Sequence, residues 1–174
     1  MLKRVFAFLL LLSVTTLFAE DIFKKGNVAL GIAIGSGSIE YETLYGSVTK
    51  NYFLTGVSAD VFIADNLSVG AGIMSWSGNT PSLVEYTLPV MYYFDLQNGL
   101  HPYIGAFYRY NDYSGTYSDG WATYEPGDYQ AAGYKLGLAM RVSFGYIAAG
   151  LASEFDLESG DSSTYPEFVV GFMF

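Results

Sequence analysis

Apolar residues alternate with small or polar residues along most of this sequence. In VALGIAIG, at 28–35, every second residue is valine, leucine or isoleucine, and the residues between them are alanine or glycine. Successive side chains of a β-strand point to opposite faces, so this period of two predicts a strand with one apolar face. The pattern recurs in seven further stretches, which are 53–63, 67–76, 83–94, 102–110, 131–144, 147–157 and 165–174. The sequence therefore predicts an all-β fold of eight strands.

The connectors between these stretches favour an antiparallel barrel that crosses a membrane. Long connectors are predicted at 39–51 and 111–128, and short ones lie between them, such as the turn at 64–66. Alternating short and long connectors place all the short turns at one end of an up-and-down meander, as in transmembrane β-barrels. Strands of about ten residues also have the length that a tilted strand needs to cross the hydrocarbon. We predict an eight-stranded antiparallel up-and-down transmembrane β-barrel.

The alternation alone leaves open which face of the barrel meets water. A soluble eight-stranded barrel of the lipocalin type would turn its apolar face inward around a ligand. Here the less apolar face carries mainly glycine, alanine and serine, which suit a narrow and crowded lumen. Tyrosine and phenylalanine of the apolar face lie near strand ends, where a membrane barrel has its interfacial girdles. We therefore expect the apolar face to contact lipid, with a soluble carrier as the alternative.

The charged residues of the predicted strands all fall on the less apolar face. They are Asp60, Glu85, Arg109, Lys135, Arg141, Glu154, Asp156 and Glu167. A buried charge must be paired, so these side chains are expected to form a network in the lumen. We expect Arg109, on the strand next to Glu85, and Arg141, on the strand next to Glu154, to belong to this network. The network either fills and closes the barrel, which we favour, or forms a polar path or gate for ions.

The first nineteen residues have the order of a secretory signal peptide. Lys3 and Arg4 precede an apolar run from Val5 to Leu12, and Ala19 comes before two acidic residues. This run is too short for a membrane helix, so we predict a cleaved leader at 1–19 and a barrel domain at 20–174. The formal net charge of the whole chain is −9, which makes nucleic acid a poor partner.

Catalytic and metal-binding chemistry have little support in the sequence. There is no cysteine, and the single histidine, His101, is predicted to be a solvated residue in a short turn. A hydrolytic site of the histidine and serine kind needs a base beside its nucleophile, and no such pair is apparent. We expect a protein that is not an enzyme and that has no cofactor and no metal.

The longest predicted connector is rich in aromatic residues. Tyr117, Trp121, Tyr124 and Tyr129 lie among glycine, serine and aspartate there. Such a composition contacts other surfaces at little entropic cost. These four residues are therefore candidate contacts for a surface partner of the outer loops.

Three features carry a resemblance to a known family: the pair of stretches LPVMYYF and PYIGAFYRY, the leader, and the final GFMF. Together they resemble the small eight-stranded outer-membrane barrels of Gram-negative bacteria, the group of OmpX, OmpW, the opacity proteins and the OmpA membrane domain. The resemblance implies an outer-membrane location, termini in the periplasm, and contact with outer-membrane lipid and lipopolysaccharide. It implies a structural, adhesive or surface-recognition role, with a narrow channel or an OmpW-like conduit for small or apolar molecules as the alternative. A lipid A-modifying enzyme is a weaker alternative.

The last residues resemble the signal that outer-membrane barrels present to their assembly machinery. Phe168, Val170, Phe172 and Phe174 share one face of the final stretch. By this resemblance they are an assembly signal, and the barrel-assembly machinery is an expected partner.

Overall fold

The computed structural model describes residues 22–43, 46–96, 99–118, 123–124 and 126–174. The predicted leader lies outside these residues. Ten strands occur in the part that is described: β1 Val28–Thr43, β2 Gly46–Ala64, β3 Leu67–Ser77, β4 Ser82–Tyr93, β5 Leu100–Ser114, β6 Tyr117–Ser118, β7 Thr123–Tyr124, β8 Tyr129–Val142, β9 Gly145–Asp156 and β10 Ser162–Met173. These residues contain no helix that is long and apolar enough to span a membrane.

Eight of these strands form a closed barrel. The order around it is β1, β10, β9, β8, β5, β4, β3, β2, and every neighbouring pair is antiparallel. The two short strands β6 and β7 pair with each other in the connector between β5 and β8. Closure pairs the first strand with the last, which removes the sheet edges that lipid could not satisfy. The predicted eight-stranded antiparallel barrel is confirmed.

The apolar face of the barrel is the outer one. Large hydrophobic side chains such as Leu30, Val57 and Leu88 are about half exposed on its exterior. In the stretches 28–34, 53–63, 67–73, 84–94, 100–110, 132–140, 147–155 and 168–174, every residue of outward parity is uncharged. Such a surface suits hydrocarbon and not water. This arrangement is the opposite of a soluble lipocalin-like barrel.

Aromatic residues mark both edges of this apolar band. Tyr86 and Tyr110 lie near the end of the barrel that carries the connector between β5 and β8. Phe144 and Phe172 stack at the opposite end, with ring centroids 5.3 Å apart. Two aromatic girdles about an apolar band are typical of barrels that span an outer membrane. We name the end where β1 begins and β10 ends the terminal end, and the opposite end the loop end.

The first connector differs from the sequence-based prediction. Residues 39–43 and 46–51, predicted to lie in a long loop, are paired strand, and β1 and β2 run on to Thr43 and Gly46. Valine, threonine, tyrosine and isoleucine are frequent there and favour strands. Outside the membrane a strand does not need one apolar and one polar face, so the alternation of apolar residues ends before the strand ends.

The outer part of this hairpin has no neighbouring strand of the barrel on either side. β10 pairs with β1 only over Ala29–Ala33, and β3 pairs with β2 only as far as Phe53. Residues 37–43 and 46–52 therefore pair with each other and with no other strand of the described chain. We name these two segments the β1–β2 ribbon.

Candidate functional site: the barrel lumen

Inner side chains fit the narrow lumen because large residues lie over glycines of neighbouring strands. A Cβ on Gly133 would lie 2.5 Å from Cζ of Phe107, and one on Gly150 would lie 2.3 Å from the Tyr103 hydroxyl. A Cβ on Gly70 would lie 2.1 Å from Oδ1 of Asp60. The glycines of the inner face thus leave the space that its large and charged side chains occupy.

The centre of the lumen is organised by Arg109 on β5, which is only 1% exposed. Its Nη1 donates to Oε1 of Glu85 on β4 at 3.2 Å and to Oε2 of Glu154 on β9 at 2.6 Å. Nε donates to the Thr87 hydroxyl at 3.1 Å, and Nη1 also bonds the hydroxyl of Tyr165 on β10. One guanidinium therefore joins four barrel strands through buried, charge-assisted hydrogen bonds.

A second ion pair lies between β8 and β10. Nζ of Lys135 donates to Oε2 of Glu167 at 2.7 Å, and both side chains are mostly buried. The Phe107 ring lies between the two cations, 4.8 Å from Cζ of Arg109 and 5.4 Å from Nζ of Lys135. Cation–π contacts at these distances add to the packing of the charged layer.

A small cavity of about 90 Å³ adjoins this layer on the side of the terminal end. Asp60, Lys135, Glu167 and Arg109 line it together with tyrosines and small residues. Asp60 is 6% exposed, and within the described chain no cationic group lies within 4 Å of its carboxylate. The cavity has charged groups in part of its wall and is large enough for water, which can solvate Asp60 there.

Two of the eight predicted charges, Arg141 and Asp156, lie at the rims, and Asp60 lies in the lumen without an ion pair to any described residue. Arg141 pairs in register with Tyr146 at the terminal end, whereas Glu154 pairs with Gly133, eight residues earlier on β8. At about 3.3 Å per residue these positions are roughly 26 Å apart, so the expectation that Arg141 joins a network with Glu154 is wrong. Glu154 bonds Arg109 instead.

Asp156 lies at the other rim, where β9 ends. Its Oδ1 accepts the backbone N–H groups of Glu158 at 2.7 Å and of Ser159 at 3.1 Å. Slight burial raises the pKa of Asp156, but these hydrogen bonds outweigh it, so that pKa lies below its usual range. Asp156 therefore caps a turn and does not contribute to a lumen network.

The terminal half of the lumen is filled by aromatic rings. Phe23, from the segment before β1, is completely buried and stacks on Tyr93 with ring centroids 4.3 Å apart. Phe62, His101 and Tyr146 surround the same ring, at centroid distances of 5.5, 4.6 and 5.6 Å. Sequence reasoning missed this role of Phe23, and the available signal was a lone apolar pair, Ile22 and Phe23, among polar residues.

His101 was predicted to be a solvated turn residue, and this prediction is wrong. It is the second residue of β5, points inward, and is 3% exposed. Strand β5 begins at Leu100, before the apolar alternation is evident, because the pairing with β8 already starts there. The histidine is thus part of the aromatic packing at the terminal end.

The loop half of the lumen contains a separate apolar cluster beyond the charged layer. Tyr52, Leu54, Trp76 and Leu83 are buried together, and the Tyr52 hydroxyl donates to the Pro81 carbonyl at 2.9 Å. The Trp76 ring lies edge-on to Tyr165, with centroids 6.3 Å apart. The charged layer therefore has aromatic packing on both sides.

The predicted loop contacts have different outcomes. Tyr129 is the first residue of β8, its ring stacks on Tyr113, and its hydroxyl lies 3.5 Å from Oε1 of Glu154. It therefore belongs to the lumen and not to a loop surface. Tyr117 and Tyr124 are paired in the β6–β7 hairpin, and Trp121 lies outside the described residues.

The four residues of the expected assembly signal lie on the outer face of the closing strand. Phe168 is 47% exposed and Phe174 is 74% exposed. The backbone of Phe174 exchanges two hydrogen bonds of 2.9 Å with Val28, the first residue of β1. The last residue thus takes part in closing the barrel.

Metal-binding geometry is not found in the described part of the chain. No three histidine, aspartate or glutamate side chains there are grouped so that they could hold a metal ion.

Comparisons with known proteins agree with this architecture. No family model and no curated protein matches the sequence. Among solved structures, the chain is similar to the N-terminal β-barrel domain of Pseudomonas aeruginosa OprF, with 19% identity and a TM-score of 0.65 over 86% of this chain and 98% of that one. It is also similar to Neisserial surface protein A, with 16% identity and a TM-score of 0.59 over 86% of this chain and 96% of that one.

The fold is that of the small outer-membrane barrels, as the resemblance in the sequence implied. The outer membrane is the location that this fold and the apolar exterior indicate together. At these identities the likeness establishes the fold and leaves the role to be argued from the residues.

Proposed function

We propose that this protein is a structural and surface-interacting outer-membrane barrel whose lumen is closed by its own side chains. The observation that carries the proposal is the filled lumen: a charged layer around Arg109 lies between two buried aromatic clusters. Eight strands leave an interior only wide enough for side chains. The proposal includes no catalytic step.

Electrical conductance tests the closed lumen directly. We expect the refolded protein in planar bilayers to give no reproducible single-channel steps at neutral pH. Regular steps of constant size would contradict closure and support the alternative, a narrow channel through the cavity beside Lys135 and Glu167. A heat-modifiable gel shift checks that the protein is folded, so that an absence of conductance steps is not caused by unfolded protein.

The surface role rests on the β1–β2 ribbon. The β1 edge of the ribbon, 37–43, has no neighbouring strand in the described chain. Such edges recruit extended segments of other proteins by strand addition. We propose that the ribbon is the surface to which a protein partner binds outside the membrane. We also propose that lipopolysaccharide surrounds the barrel.

Shortening the ribbon tests this role without changing the barrel. Ile39 and Lys50 are paired, so replacing residues 40–49 by Asn-Gly leaves a regular two-residue hairpin. We expect cells that display the shortened protein to lose binding to immobilised extracellular-matrix proteins and to one another. The control replaces residues 158–160, in the β9–β10 turn, by Gly-Ser-Gly and should keep both. Equal binding by the shortened and full-length proteins would exclude the ribbon as the contact.

The outer face of β10 is proposed as the assembly signal. Phe174 is the most exposed of its four members, follows β10 directly and hydrogen-bonds the first residue of β1. Deleting Phe174 should lower the amount of folded protein in the outer membrane while its export to the periplasm continues. Substituting Phe144, a girdle residue that stacks on Phe172, is the matched control. Unchanged membrane levels after the deletion would count against the signal.

A further inference from the structure

The segment before the first strand enters the barrel instead of leaving it. Phe23 has no solvent exposure and lies among rings from four different strands: Phe62 of β2, Tyr93 of β4, His101 of β5 and Tyr146 of β9. None of these strands supplies the central ring itself. The wall residues therefore form a socket, and a residue from outside the wall fills it.

The segment is held by hydrogen bonds that are not part of the pairing between barrel strands. The Phe23 carbonyl accepts the N–H of Asn66 at 2.7 Å, and the N–H of Lys25 donates to Oδ1 of Asp65 at 3.0 Å. Both partners belong to the turn between β2 and β3. The barrel strands pair with one another without any residue of 22–27.

Gly26 allows the chain to turn from this socket into β1. Its φ is +93°, and no atom lies within 4 Å of the position that a Cβ would take. Residues other than glycine rarely adopt this backbone conformation. The Gly26 N–H donates to the Phe62 carbonyl at 2.8 Å, which fixes the reversal against β2.

The socket lies between the terminal end and the cavity. Tyr93 and Tyr146 line the cavity and also contact Phe23. These two tyrosines contact each other edge-on, with ring centroids 6.1 Å apart. Removing the Phe23 ring would leave an empty space beside this tyrosine pair on the side of the terminal end.

We propose that residues 22–27 are a seal for the terminal end of the lumen, with Phe23 as the stopper that keeps the cavity closed to the periplasm. The segment is joined to the wall through the backbone of Gly26 and Asn27, which hydrogen-bond Phe62. The Phe23 ring makes none of these backbone bonds, so it can be removed by substitution without breaking them. The seal closes the lumen at its terminal end, in addition to the closure by the charged layer at the centre.

Cysteine labelling tests the seal, because the natural chain has no cysteine. Ala148 lines the cavity and is 4% exposed, so Ala148→Cys places a thiol behind the stopper. Ser143→Cys, in the exposed turn between β8 and β9, gives the rate for a freely accessible thiol. The probe is N-ethylmaleimide, a small neutral reagent, applied to protein refolded in lipid vesicles.

We expect Ala148→Cys to react slowly in the otherwise natural chain, because local opening of the seal then sets the labelling rate. The rate should rise about tenfold or more when Phe23→Ala is added. Asp65→Ala, which removes one anchor of the segment, should raise the rate by a smaller factor. Phe144→Ala, the same change in an exterior ring, should leave it unchanged. The heat-modifiable gel shift reports whether each barrel is folded.

An unchanged labelling rate in folded Phe23→Ala protein would overturn the proposal, because the wall tyrosines alone would then close the lumen. If Phe23→Ala does not fold, Phe23→Leu decides in its place. Leucine fills the socket incompletely, so a rate above that of the natural chain supports the seal, and an equal rate refutes it.

Discussion

The terminal half of the lumen and the charged layer at its centre are built from the same alternating pattern and are filled in different ways. Towards the terminal end, rings such as Phe23, Phe62 and Tyr93 pack against one another. At the centre, Arg109 and two carboxylates form a buried network. Loss of an apolar side chain lowers stability in proportion to the volume removed, whereas loss of one charge leaves its buried partner unpaired at a larger cost. The two regions should therefore respond differently to single substitutions.

The largest effect is expected from Arg109→Met. Glu85 and Glu154 would remain buried without their cation, so the free energy of unfolding should fall by about 3–5 kcal/mol. Urea unfolding in lipid vesicles, followed by tryptophan fluorescence, measures the change.

The matched control is Arg141→Met, which removes a rim cation that makes no ion pair within the described residues. Its effect should lie within about 0.5 kcal/mol. Similar losses for both variants would show that the Arg109 network contributes nothing beyond an ordinary surface charge.

Phe62→Ala should have the next largest effect and represents the aromatic half. The ring is 1% exposed and contacts Phe23 and Tyr93, so its loss should cost about 3 kcal/mol. Phe53→Ala on the exterior is the control, because lipid can fill the space that it leaves. The cost of Phe62→Ala should also be independent of pH between 5 and 8, and a strong dependence would contradict purely apolar packing.

Lys135→Met should have an intermediate effect, because its pair borders the cavity. Water in the cavity can solvate the Glu167 carboxylate, which reduces the cost to about 2 kcal/mol. Adding Glu167→Gln should recover part of the loss, and urea unfolding of the two variants measures it. A double variant that is less stable than Lys135→Met by the full cost of a second lost contact would show that Glu167 has other partners.

The sequence predicted the wall of this barrel better than its contents. Alternation decides which face a residue occupies, so Asp60, Glu85, Arg109 and Glu154 were assigned to the inner face, where all four are buried. It does not decide height in the lumen, which depends on strand register and on where strands begin. Arg141 was therefore expected in one network with Glu154 although they lie at opposite levels, and His101 was placed in a turn.

Phe23 shows a further reason why contents are hard to predict. It lies outside every alternating stretch, and only the closed barrel creates the socket that it fills. The β1–β2 ribbon escaped prediction for the converse reason, since strand pairing continues there without hydrophobic alternation.

The smallest effect is expected at Asp156, whose side chain the sequence assigned to the lumen network. Because its pKa is lowered by the N–H groups of Glu158 and Ser159, its stabilising contribution is complete above the unfolded pKa and is lost as pH falls through the lower folded pKa. The group is largely exposed, so Asp156→Ala should leave global unfolding almost unchanged. Hydrogen exchange should instead quicken a few-fold at the amides of residues 158 and 159 only. A variant that also weakened the Arg109 network, seen as a loss comparable to that of Arg109→Met, would return Asp156 to the lumen network and remove the distinction between rim and centre.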